Sequence, residues 1–115
     1  MKQTDIFRDA VLKKISQGKE YLRFGGVTFI IDNRKYHIKV KTGQLKKYPF
    51  NINPTVLEAD FEVYVCGNDN LYYLIPITLI KEMHTDPSAM PDHRYSGYTV
   101  IDVHPGKNII KYGTG

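Results

Sequence analysis

The chain is poor in cysteine and has no long apolar run. Its one cysteine, Cys66, in 115 residues excludes an internal disulfide and suits a reducing compartment. No apolar stretch approaches the roughly 20 residues needed to span a bilayer. The N-terminal segment alternates charged and apolar residues and has no signal-peptide core. There is no glycine-rich phosphate loop, dinucleotide fingerprint, internal repeat, low-complexity tract or linker. Together these absences point to a single cytoplasmic domain over 1–115 with no membrane partner. With 42% hydrophobic and 24% charged residues, that domain reads as an ordinary globule with one modest core.

Acidic residues are scarce in one half only. Residues 1–50 hold 12 Lys and Arg against 4 Asp and Glu, whereas residues 51–115 hold 4 against 8. A basic half suits a polyanionic partner, because Lys and Arg on phosphates gain affinity by releasing counterions. The plainer alternative is that the lysines only solvate exposed faces.

The stretch from Val27 to Thr42 organises the rest. Two β-branched and aromatic runs flank Asp32-Asn33-Arg34-Lys35, which has the chemistry of a hairpin tip. Strand side chains alternate, so Tyr36, Ile38 and Val40 share one face while Lys35, His37, Lys39 and Lys41 share the other. The first face suits a core. The second carries a row of cations that a core does not accept unpaired, so the row is expected to face outward and carry the function.

In chain order, an N-terminal helix comes first, with Thr4 as its cap, an apolar stripe through Ile6, Phe7, Ala10, Val11 and Ile15, and Gly18 as its stop. Glu20 to Phe24 reads as a short strand, and Gly25-Gly26 as a turn or bulge. Pro49 and Pro54 make the stretch after Lys46 and Lys47 a loop or edge segment, and Thr55 to Ala59 a single helical turn started by Asn53 or Thr55. Asp60–Val65 and Leu71–Ile75 form a second hairpin, and Ile77–Met83 a short helix. His84 to Gly97 reads as a polar loop, followed by strands at Tyr98–Val103 and Asn108–Tyr112. The fold expected is α+β: a mixed or antiparallel sheet of about five strands, an N-terminal helix across one face, and a second short helix. Its core should include Ile6, Val11, Ile15, Phe29, Ile31, Ile38, Val40, Phe61, Val63, Leu74 and Ile75.

The order of these pieces resembles the PD-(D/E)XK, restriction-endonuclease-like nuclease superfamily. It is most similar to the small endonucleases associated with group I introns and to archaeal-type junction resolvases. The resemblance covers about residues 5–83 and rests on Lys39-Val40-Lys41-Thr42, Asp60-Phe61 and Tyr73-Leu74-Ile75-Pro76. It implies a metal-dependent nuclease in which an Asp on one strand and a Glu on the next hold Mg²⁺, with a lysine two residues further on the same face. Lys41 matches that lysine. Lys39 and Thr28 stand where the two carboxylates belong, and neither can replace a hard-cation ligand. Asp32, on Thr28's face but nearer the hairpin tip, is the best displaced acid, with Asp60 and Glu62 behind it.

Other constellations say less. His84, Asp86, Asp92 and His93 lie near one another in sequence but fit no closed zinc spacing. Cys66 reads as packed rather than nucleophilic. Among nine tyrosines, Tyr36, Tyr48, Tyr64, Tyr72 and Tyr73 could stack on bases but suit half-buried sheet positions better.

Three functions remain. The favoured one is a nucleic-acid-binding protein, DNA before RNA, with a catalytically degenerate nuclease-like fold. It would need no cofactor and would use Lys35, His37, Lys39, Lys41, Lys46 and Lys47 on phosphates. The second is an active Mg²⁺-dependent endonuclease with Lys41 and Asp32 as its catalytic pair and Asp32 on the metal. The third is an interaction module or inhibitor whose basic face meets an acidic protein. A homodimer stays open in all three.

Overall fold

The computed structural model describes residues 2–25 and 27–112; Gly26, read above as part of a turn, lies outside them. Helix α1 (Gln3–Ser16) starts after Lys2 rather than at Thr4, which falls inside the first turn. It ends where expected: Gln17 and Gly18 both take positive φ, 51° and 82°, the left-handed stop that frees the chain from the helix.

Three antiparallel strands follow, β1 (Tyr21–Gly25), β2 (Thr28–Ile31) and β3 (Arg34–Thr42). The β2–β3 turn is two residues, Asp32 and Asn33, at φ 54° and 66°. Such positive pairs match the right-handed twist of a hairpin, and Asp and Asn tolerate them better than other residues with a side chain.

After β3 the chain enters β4 (Tyr48–Ile52) and a 3-10 turn, Pro54–Val56, capped by Asn53 Oδ1 on the Thr55 N–H. It then returns as β5 (Phe61–Gly67), parallel to β3. Strand β6 (Tyr72–Pro76) pairs antiparallel with β5, and helix α2 (Ile77–Thr85) runs two residues further than expected. Within the region read as loop lies a short strand, β7 (Met90–Pro91), before β8 (Thr99–His104) and β9 (Ile109–Lys111).

The expected five-stranded mixed sheet is present in the order β1-β2-β3-β5-β6. What the sequence reading did not anticipate is a second sheet, β4-β8-β7 with β9 on β8. The stretch with Pro49 is an edge strand of that sheet, where proline is tolerated. Two cores result. On one side of the main sheet Val11 and Leu12 of α1 meet Phe29, Ile31, Ile38, Val63 and Val65. On the other, Tyr64, Cys66 and Ile75 meet Tyr48, Phe50, Ile52, Ile101 and Val103 of the second sheet, with Ile80 and Met83 of α2. Strand β5 serves both cores with alternate side chains, which is why Glu62 to Cys66 are buried without interruption.

Two expected core residues lie at the surface. Ile6 is 51% exposed and Leu74 is 46% exposed. Ile6 falls on the outer side of α1. Leu74 pairs with Val63 on the helix-covered face, but α1 packs chiefly on β3 and β5 and does not extend over it.

The second sheet also changes the expected outward face of the hairpin. His37 and Lys39 lie between the sheets, with side chains 15% and 20% exposed. Lys41, near the end of β3, is the exposed member of the row, and Lys35 at the other end is part-buried. A core does accept His37 and Lys39 because β5 supplies their partner.

Candidate functional site

The parallel register sets Glu62 beside His37 and Tyr64 beside Lys39. Glu62 shares its face with Tyr64 and Cys66, and its side chain is 2% exposed. Its Oε2 is 2.7 Å from His37 Nδ1 and its Oε1 is 3.5 Å from Lys39 Nζ. Lys39 Nζ also donates to the Asn51 carbonyl on β4 at 2.9 Å, tying the two sheets together. Tyr64 stacks on Phe50 with ring centres 4.2 Å apart. Burial, then the Glu62 charge, pushes its phenol well above the usual range.

Beyond Lys39 lies an open cleft of about 420 Å³. Among the described residues strand β2 pairs only with Arg34–His37, so no described strand pairs with the later half of β3 on that side. Ile38 uses that edge once, donating its N–H to the Val27 carbonyl. Its own carbonyl accepts from Arg8 Nε at 2.9 Å, which brings a helix cation over the edge. Lys39, Val40 and Lys41 form the floor, and Pro49, Phe50 and Asn51 of β4 one wall.

Arg94 and Tyr95 complete the cleft. They sit in a tight loop closed by the Asp92 N–H donating to the Tyr98 carbonyl at 2.9 Å. The buried Asp92 carboxylate accepts from the Arg94 N–H at 3.0 Å and from Nε and Nη2 at 3.1 and 3.2 Å. Those bonds from the Arg94 side chain and backbone hold the Asp92 carboxyl below its ordinary range. Four cations therefore line the cleft, Arg8, Lys39, Lys41 and Arg94, and among the described residues no carboxylate does. Arg8, Lys39 and Arg94 are each partly neutralised by Asp5, Glu62 and Asp92. Lys41 makes no ion pair among the described residues.

The other residues singled out from sequence disperse. Asp32 is exposed at the hairpin tip and pairs with Lys19 at 2.7 Å. At about 3.3 Å per residue, Arg34 to Lys41 alone spans about 23 Å, so Asp32 and Lys41 lie at opposite ends of β3. Lys35 is at Asp32's end, where its N–H donates to Asp60 Oδ2 at 2.8 Å. Thr28 faces His37, not Lys41. Lys46 and Lys47 are in the loop after β3, near Lys41's end, and Lys47 Nζ stands 3.7 Å from Asp102.

That loop is fixed by Tyr48, whose hydroxyl donates to the Gly43 carbonyl at 2.6 Å and accepts from the Leu45 N–H at 3.1 Å. Gly67 makes room for it: at φ +88° a Cβ there would lie 3.0 Å from the Tyr48 hydroxyl.

His84, Asp86, Asp92 and His93 do not gather. His84 bonds Thr99 at 2.8 Å, and Asp86 accepts from Ser88. Among the described residues no three His, Cys, Asp or Glu side chains stand together as a metal site.

Sequence reasoning missed Arg8, Arg94 and Tyr95. Arg8 sat on a helix read only as packing. The spacing Asp92-x-Arg94 was the available signal, since an Asp commonly accepts the N–H two residues on. No family model, curated protein or solved structure matches this chain.

Proposed function

We propose that the protein binds nucleic acid, seating phosphates in the cleft between the end of β3, β4 and the Arg94 loop, and that it does so without cutting. The observation that carries this reading is the lining: four cations, an unpaired Lys41 among them, and no carboxylate among the described residues. A site of this kind attracts anions and repels a bare divalent cation. Lys41, the lysine of the nuclease-like motif, keeps the role of neutralising a phosphate. His37 and Lys39 support the site from behind by holding β3 against β4, and Lys46 extends the positive surface past the loop.

A Mg²⁺ site in such a nuclease needs carboxylates beside Lys41. Asp32 is at the other end of the strand, and both oxygens of Glu62 are engaged by His37 and Lys39. These placements favour binding over cleavage.

The test is fluorescence anisotropy of labelled oligonucleotides across a salt series. Wild type should bind at low salt with an affinity that falls as salt rises. Lys41→Glu should weaken binding and flatten the slope. If wild type binds neither single-stranded, duplex nor branched DNA or RNA at low salt, the proposal fails.

A further inference from the structure

Tyr95 is half exposed, at 49%, yet it is not on a loose segment. Its N–H donates to the Asp92 carbonyl and its carbonyl accepts from the Tyr98 N–H. Its ring lies 5.0 Å from that of Tyr98, tilted by 30°, and the Arg94 guanidinium sits 5.5 Å from its centre. The buried Asp92 fixes Arg94 in turn through three bonds. The fold thus holds a half-exposed ring at the lip of a cationic cleft, beside a second ring and a guanidinium. An aromatic so placed suits a flat, π-bearing group attached to an anion.

Resting on the nucleic-acid reading above, we propose that the cleft takes one unpaired strand, with a phosphate on Lys41 and an adjacent base stacked on Tyr95. The dimensions favour one strand over two. A cleft lined by the end of β3, three residues of β4 and the Arg94 loop is small beside a duplex. The two backbones of a duplex flank grooves about 6 and 12 Å wide, so a duplex lies across the mouth and one strand enters. The chemistry agrees. Bases inside a duplex already stack on one another and cannot reach Tyr95, whereas an unpaired base can, and such stacking tolerates any base. The Arg94 cation reinforces it.

The experiment compares a 12-nucleotide mixed-sequence single strand with its own duplex, using the full chain and the variants Tyr95→Ala, Tyr95→Phe and Lys41→Glu. Wild type should bind the single strand at least tenfold more tightly. Tyr95→Ala should lose at least about fivefold on the single strand, a larger loss than on the duplex, while Tyr95→Phe, which keeps the ring, should match wild type. Lys41→Glu should weaken both. Equal or tighter duplex binding, or a Tyr95→Ala variant that binds the single strand as wild type does, overturns the single-strand assignment and leaves the phosphate-binding cleft standing. Binding of neither oligonucleotide, with polyglutamate bound instead, overturns the nucleic-acid reading itself.

Discussion

Glu62 on β5 and His37 on β3 occupy the same register pair, and their side chains meet at 2.7 Å between two sheets. Lys39, next on the same face, closes the group from 3.5 Å. A carboxylate there costs a great deal to bury alone, and so does each cation, so the three are retained together or not at all. The cluster also locates the cleft, because Lys39 reaches from Glu62 to the Asn51 carbonyl and thereby sets β4 alongside the later half of β3.

Removing one member should therefore unbalance the other two. Glu62→Ala is expected to lower the unfolding free energy by about 3–5 kcal/mol, the cost of leaving a buried pair half made, as read by urea denaturation. Lys39→Met should also destabilise, while Lys41→Met, at an exposed position, should stay within about 0.5 kcal/mol of wild type. Equal stability losses at the two lysines would contradict the buried-cluster account.

Metal-dependent cleavage should be slight or nil. Purified protein incubated with supercoiled plasmid and with branched DNA, in Mg²⁺ and then Mn²⁺, should leave both intact, because the acids that would hold the ion are displaced or occupied. Cleavage lost in Asp32→Ala would establish an enzyme with a displaced acid. Cleavage lost only in Lys41→Ala would point to a different carboxylate.

Acid should loosen the Arg94 loop. Arg94 holds the Asp92 carboxyl below its ordinary value of 3.8. A lowered folded-state value means that the carboxylate contributes stability above about pH 3.8, and that this contribution is lost as pH falls through the lower folded value. Urea midpoints measured between pH 6 and 2.5 should thus converge for wild type and Asp92→Asn at the acid end and diverge above it. Parallel curves across the whole range would show that Asp92 does not hold the loop through its charge.

Cys66 should be inert while the chain is folded. It is buried in the inter-sheet core, and burial pushes its thiol up to about 11. With almost no thiolate near neutral pH, it should fail to react with a thiol reagent at pH 8 in buffer and react fully in urea. Rapid labelling of native protein would place it at the surface instead.

The local pieces were legible in the residues alone. Period-two alternation in 27–42 and 60–75 marked the strands, because side-chain direction on a strand is set by the backbone alone. Asp32-Asn33 marked the turn, and the stripe through Val11 and Ile15 marked the first helix and the face it covers. A sheet of about five strands with a helix across one face followed from these, with mixed and antiparallel pairing both open.

What lies on the other face was not legible, because it is set by contacts distant in sequence. Whether His37 and Lys39 meet water or a second sheet depends on Glu62, 25 and 23 residues away, which reaches them through a parallel pairing that no local pattern encodes. The prolines around β4 left a loop and an edge segment both open, and the pairing partner that makes it an edge strand, β8, lies about fifty residues further on. The cleft is less legible still. Arg8, Lys41 and Arg94 come from a helix, a strand end and a loop, and they converge only because a strand edge, a helix side and a buried Asp92 happen to meet in three dimensions.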